Sequence, residues 1–183
     1  HHLSADRAVY MYAMDIDSNG NLLVGGHYDY LPCDFNPGGS GGVLPDPTVS
    51  WWGFILKLDT DGNFDWVKPL QGGAHLNGAY GIYSDGTHIY TAGFYSTDLS
   101  FNLTNGTTTT LTSNGSYDVF VCKQDLNGGY IWALSFGGSR QEYVADILVD
   151  DLGDLYIGGT FRNTVDFDPS AGSEIMKRRP ALV

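Results

Sequence analysis

Apolar residues in this chain fall into short runs in which alternate positions are apolar, separated by clusters of Asp, Asn and Gly. A period of two with such punctuation predicts β-strands, and no 3.6-residue periodicity is sustained anywhere. The first strand is expected at 12–17, followed by the turn Asp17-Ser18-Asn19-Gly20 and a second strand at 21–27. Asn-Gly between two apolar runs is a strong hairpin signal because both residues tolerate positive φ. A third strand is expected at 52–59 and a fourth at 63–70, joined by Asp59-Thr60-Asp61-Gly62. The pattern then restarts at 80–83, 87–95, 118–124 and 129–136, and a third time at 145–149 and 154–161.

The restart is a true repeat. Phe54 and Phe120, Lys57 and Lys123, Asp59 and Asp125, and Trp66 and Trp132 each stand 66 residues apart. Leu22-Leu23-Val24-Gly25-Gly26 returns as Ile89-Tyr90-Thr91-Ala92-Gly93 and again as Leu155-Tyr156-Ile157-Gly158-Gly159. A long period built of strands and Gly-rich turns predicts an all-β, propeller-like array of four-stranded antiparallel blades, with ten strands and about two and a half blades in this chain. The blades are expected at 12–73, 79–138 and, as a half, 144–175, within a single repeat region spanning 1–183. Long connections at 28–51 and 96–117 differ most between copies, one rich in Gly and Pro and the other in Thr. Each opens on a short aromatic element: Cys33-Asp34-Phe35, Ser100-Phe101-Asn102 and, in the third copy, Asp166-Phe167-Asp168. Variable loops on a regular frame are where binding specificity is expected.

Composition narrows the classes. The 183 residues carry 21 acidic and 9 basic side chains, a formal charge of −12. That balance opposes nucleic-acid binding, which needs Lys and Arg to meet phosphates. No run of about 18 apolar residues is present, so no membrane-spanning helix is expected. The opening His-His-Leu-Ser reads as a tag remnant or a start cut from a longer gene, and the compartment is not legible from it. Cys33 and Cys122 occupy positions that hold aliphatic residues in the other copies and are expected to be buried, unpaired and inert.

Few residues suggest chemistry. Asp15-Ile16-Asp17-Ser18-Asn19-Gly20 matches the start of a calcium loop, but Gly26 stands where such a loop needs a bidentate Glu. No cofactor is therefore expected, with calcium the one ion worth testing. His27, His75 and His88 lack zinc-ligand spacing. His27 ends a strand, where an exposed or hydrogen-bonded role is expected rather than ligation. Trp66 and Trp132 are expected to pack between blades. Trp51-Trp52 closes the first long loop, and neighbours on a strand point to opposite faces. An exposed Trp there with Tyr28 and Tyr30 would make a stacking platform, so Trp51, Trp52, Tyr28 and Tyr30 are the candidate binding residues. No catalytic set is identified. The sequons at Asn102, Asn105 and Asn114 mark a surface only in a eukaryotic secreted protein.

Four motifs in fixed order, at 154–159, 165–169, 53–59 and 62–68, resemble the bacterial β-propeller repeat family labelled SBBP, over about residues 12 to 175. The resemblance implies a secreted or surface bacterial protein, extracellular in location, and a non-catalytic module binding protein or glycan through its loops. The alternative is a fragment of a propeller enzyme, a hydrolase or quinone-type oxidoreductase with a central-channel active site. Met176-Lys177-Arg178-Arg179-Pro180 does not continue the pattern, so 176–183 is expected to be an atypical tail. Two and a half blades cannot close a ring. Either the chain is a fragment of a longer protein or it completes itself by association; a homo-oligomer is expected, a dimer with an isologous interface at the terminal half-blade.

Overall fold

The computed structural model describes residues 8–29, 32–47, 51–72, 76–167 and 175–177. These form antiparallel sheets with no helix among the described residues. In the first unit β1 (Val9–Ile16), β2 (Leu22–Asp29), β5 (Trp51–Leu58) and β6 (Phe64–Leu70) make a four-stranded sheet, in that order. Between β2 and β5 lies a small hairpin of β3 (Cys33–Asp34) and β4 (Val43–Leu44). The second unit repeats this with β7 (Asn77–Ser84), β8 (His88–Tyr95), β11 (Asp118–Asp125) and β12 (Tyr130–Gly138) around the hairpin β9 (Asp98–Asn102) and β10 (Thr108–Thr112). In the third, β13 (Tyr143–Val149) pairs with β14 (Leu155–Thr160), and β15 (Thr164–Asp166) pairs with β16 (Ile175–Lys177).

The expectation of ten strands is corrected to sixteen described ones. The six additional strands are the hairpins inside what read as loops. Their pattern is short but regular: Leu99 and Phe101 point inward and are buried, while Asp98, Ser100 and Asn102 point out. The Thr-rich stretch supplies the partner strand, as β-branched residues favour. Of the expected tail, Met176 and Lys177 lie in β16 and pair with Val165 and Thr164. Residues 178–183 lie outside the described residues.

These hairpins lock one unit to the next. Leu99 bridges to Gly72 at the end of the preceding fourth strand, and the Ser100 amide donates to the Gln71 carbonyl at 3.0 Å. One period later Val165 pairs with Gly138 and Asp166 with Gly137, which joins β15 and β16 to the edge of β12. Apolar packing follows the same path. Leu23, Ile55 and Leu70 of the first unit meet Ala79, Ile82, Phe120 and Cys122 of the second. Tyr90, Ala92 and Val121 then meet Val144, Ile147 and Val149 of the third. A further cluster, with Val24, Tyr28, Phe54 and Leu56, lies on the opposite face of the first sheet. Cys122 is buried and unpaired as expected; Cys33 is unpaired but only half-buried, at the rim of the β3–β4 hairpin.

Turns share one device. Asp17, Asp59, Asp125 and Asp150 each accept a hydrogen bond from the amide two residues on and another from the amide four residues on, at 2.8–3.0 Å. Gly20, Gly62, Gly128 and Gly153 follow at positive φ. An Asx turn ending in a left-handed residue demands this Asp-x-x-Gly spelling. The acidic excess thus includes carboxylates that build hairpins.

The Gly of each second strand has a packing cause. A Cβ on Gly26 would strike the Tyr10 carbonyl and the Phe54 ring, and one on Gly93 would strike the Gly78 carbonyl and the Phe120 ring. Gly93→Ala should therefore destabilise the fold by roughly 1–3 kcal/mol in urea denaturation. Gly158, whose added Cβ would meet nothing nearer than the Asp146 carbonyl at 4.0 Å, should tolerate Ala to within about 0.5 kcal/mol.

Candidate functional site

The first strand of every unit carries a β-bulge. Register shifts at Tyr12 between Met11 and Ala13, at Tyr80 between Ala79 and Gly81, and at Ala145 between Val144 and Asp146. A bulge re-aims the side chain it carries. Here it turns Tyr12 and Tyr80 onto each other, with ring centroids 4.5 Å apart and planes within 22°. Tyr80 stacks in turn on Phe94 at 4.5 Å. Phe94 meets Tyr143 edge-on at 5.1 Å and Tyr117 at 5.4 Å.

On the other side Tyr12 lies 5.3 Å from the ring of His27, and Tyr10 lies 4.8 Å from it. Trp51 lies parallel to His27 at 4.7 Å. One aromatic strip therefore crosses all three units. Tyr10 and Tyr12 are exposed, and Trp51, Tyr80, Phe94, Tyr117 and Tyr143 are half-buried.

His27 is the buried centre of the first half of the strip. Its Nδ1 lies 3.4 Å from the Tyr80 hydroxyl, and its Nε2 has no hydrogen-bond partner among the described residues. Burial lowers its pKa to about 4, against the opposing pull of the Asp29 carboxylate. The imidazole is neutral at physiological pH. A neutral ridge of stacked rings can hold an apolar face by dispersion and CH–π contact. It offers no charge for an ionic ligand.

Of the four residues expected to form a platform, the structure brings Trp51 to this strip. Trp52, its neighbour, faces the other way into the cluster around Phe54. Tyr28 is corrected from a loop residue to a core residue: it is fully buried in β2, and its hydroxyl donates to the Pro45 carbonyl at 2.9 Å. Tyr30 lies outside the described residues. Of the two roles expected for His27, hydrogen bonding agrees with its contact to the Tyr80 hydroxyl, and exposure is corrected to burial within a stack.

The other candidates are occupied by the fold. Asp17 is buried and takes bonds from Asn19, Asn21 and the Lys57 ammonium, whose Nζ lies 3.3 Å from its Oδ2. Burial works to raise that carboxyl, and these bonds overcome it and hold it below the usual range. Asp15 accepts the Ser84 amide of the next unit at 2.7 Å. Trp66 donates its indole N–H across units to the Leu126 carbonyl at 3.2 Å, and Trp132 packs on Tyr90. His88 sits 3.6 Å from Asp85 in its own turn, and His75 lies outside the described residues.

Asp118 and Glu142, both buried, have carboxyls raised by burial. Asp118 holds the Asn114 amide and the Ser113 hydroxyl, and Glu142 holds the Gly138 amide. Among the described residues no group of three His, Cys, Asp or Glu side chains converges as a metal site would require. No helix of the described residues is long and apolar enough to cross a membrane.

No family model matches the chain. The chain is 27% identical over 153 residues to an uncharacterized WD repeat-containing protein, L264, of Acanthamoeba polyphaga mimivirus. That alignment covers 80% of this chain and 11% of the relative. The chain thus spans about a tenth of the length of the curated relative it matches. A distant WD-repeat relative and successive antiparallel sheets agree with propeller-type blades; the described residues form no closed ring.

Acid should act through His27. The unfolded chain takes up this proton near pH 6.5 and the folded site only near 4, so stability falls as pH drops between those values and then levels for this group. His27→Phe, which copies Phe94, should remove that part of the slope. Urea midpoints for both proteins from pH 7 to 4 check it: the variant's midpoint should rise relative to the parent's on acidification, and a constant difference would contradict it.

Proposed function

We propose that this chain is a non-catalytic binding module of propeller-type repeats, of the SBBP kind, in a secreted or surface bacterial protein. The observation that carries this reading is the aromatic strip from Tyr10 and Trp51 to Tyr143, which crosses unit boundaries and is built by bulges placed in successive units. Structural packing alone does not require Tyr10 and Tyr12 to stand exposed on a strand edge. A glycan is the ligand class the strip fits best. Sugar rings present apolar C–H faces that stack on aromatic rings, and the neutral His27 adds no charge to be matched. Glycan-array binding of the chain, lost in Tyr12→Ala and in Trp51→Ala with the fold retained by circular dichroism, is the expected result. Silence on the array together with capture of one discrete protein would shift the reading to a protein partner, and unchanged binding in both variants would remove the strip from it.

The reading includes self-association. Met11, Met14 and Ile16 on β1 are 62%, 77% and 64% exposed. The bulge register places Ala79 and Ile82 at the positions of Met11 and Met14 one unit later, where the preceding unit buries them. A second copy is the occupant that would continue this interface, and the homo-oligomer is most simply a dimer. Sedimentation at tens of micromolar should show mass above 20 kDa that Met14→Glu abolishes. A monomer at every concentration would refute association.

A further inference from the structure

The third unit contains a socket for a strand it does not itself supply among the described residues. In the first unit β5 pairs with β2 so that Phe54 stands opposite Gly26 and Lys57 opposite Leu23. In the second, β11 pairs with β8 so that Phe120 stands opposite Gly93 and Lys123 opposite Tyr90. The repeat places Gly159 and Tyr156 of β14 at the same two positions. Among the described residues β14 pairs only with β13, and no strand lies on its other side.

Beside that edge is a cavity of about 390 Å³, open to solvent. Its walls include Val119 and Phe136 of the second unit and Val144, Gly159, Phe161 and Phe167 of the third. In the other units this space is filled. The Phe54 ring lies over Gly26 and 4.7 Å from Phe35, and the Phe120 ring lies over Gly93 and 6.0 Å from Phe101. Phe35, Phe101 and Phe167 are equivalent positions 66 residues apart. Gly159 and Phe167 are therefore the floor and wall of a phenylalanine seat.

The lysine seat is present too. Lys123 lies over the Tyr90 ring with Nζ 5.0 Å from its centroid, and the Tyr90 hydroxyl donates to Asp85. In the third unit the Tyr156 hydroxyl donates to Asp150 at 3.1 Å in the same way, and the Tyr156 ring is 52% exposed. A cation over an aromatic face is favourable, and a carboxylate behind it adds to the attraction.

We propose that the free edge of β14 and its cavity bind an extended segment with this repeat's third-strand pattern, Phe-x-x-Lys. The strand runs antiparallel to β14, with its Phe over Gly159 and its Lys over Tyr156. Main-chain hydrogen bonds along the edge give affinity and the two pockets give register, the logic of strand addition. This site is separate from the aromatic strip and stands or falls independently of it.

A synthetic peptide copying residues 117–126, with leucine in place of Cys122, tests the site against the intact chain. Saturable binding at micromolar Kd is expected, with new amide protection in hydrogen exchange confined to β14. A peptide with the Phe changed to Ala, and one with the Lys changed to Glu, should each bind at least tenfold more weakly. Tyr156→Ala, at an exposed position and with the fold checked by circular dichroism, should weaken the parent peptide several-fold and leave a Lys→Ala peptide unaffected. Absence of binding at millimolar peptide, equal binding of the Phe→Ala peptide, or protection that appears away from β14 would each overturn the proposal.

Discussion

Each four-stranded sheet of this chain is apolar on both faces, and that single constraint governs the rest of the structure. A sheet with one apolar face can lie on a core and turn its other face to water, whereas a sheet with two must be covered on both sides. Ile55 and Lys57 of β5 face the second unit, while Phe54 and Leu56 face away from it into their own cluster. In β11 the same alternation sends Phe120 and Cys122 toward the first unit and Val119 and Val121 toward the third. The second unit is thus the sheet covered on both faces, and the units on either side are stabilised by what they cover.

Polar contacts set the phase of this stacking. The Lys57 ammonium reaches Asp17 within its own unit and the Leu126 carbonyl of the next at 3.1 Å, and the Trp66 indole shares that carbonyl. Asn77 accepts the Gly53 amide of the preceding unit at 2.6 Å. Ser18 donates to the Gly86 carbonyl at 3.0 Å. A buried ion pair adds little net stability, because desolvation offsets the attraction, but breaking it is costly. Such contacts specify one register among the many that apolar packing alone would accept. The bulges then convert register into a surface, since the tyrosines they carry meet only when neighbouring first strands are in phase.

Much of this was legible in the sequence, and what was not has definite physical reasons. The main strands are readable because Asp-x-x-Gly turns recur and because Gly26, Gly93 and Gly159 recur in the second strands, where an added Cβ would strike a first-strand carbonyl. The small hairpins are not: Cys33–Asp34 and Val43–Leu44 are too short to display alternation, and Asp98–Asn102, which does alternate, pairs with a strand of four Thr and one Leu that shows none. Tyr28 misled because alternation in β2 distinguishes its two faces without saying which is covered; Tyr95, one period later and equally buried, was the available clue. The strip escaped for a different reason. A bulge slips the register by one residue, so Tyr12 and Tyr80 appear on the wrong face to any strict period of two. Trp51 was recoverable because aromatic residues recur at the start of the third strand, as Trp51 and Tyr117.

Native-state hydrogen exchange tests the dependence of each unit on its neighbours most directly. If stability resides in the contacts between sheets, the amides of β8 and β11 should be the slowest in the protein and exchange together by global unfolding. Those of β1 and of β13 and β14 should open earlier, at distinctly lower free energy, even where their ladders are fully paired. Equal protection of the central strands in the first and second units, with each sheet opening independently, would contradict the account and place the stability within single sheets.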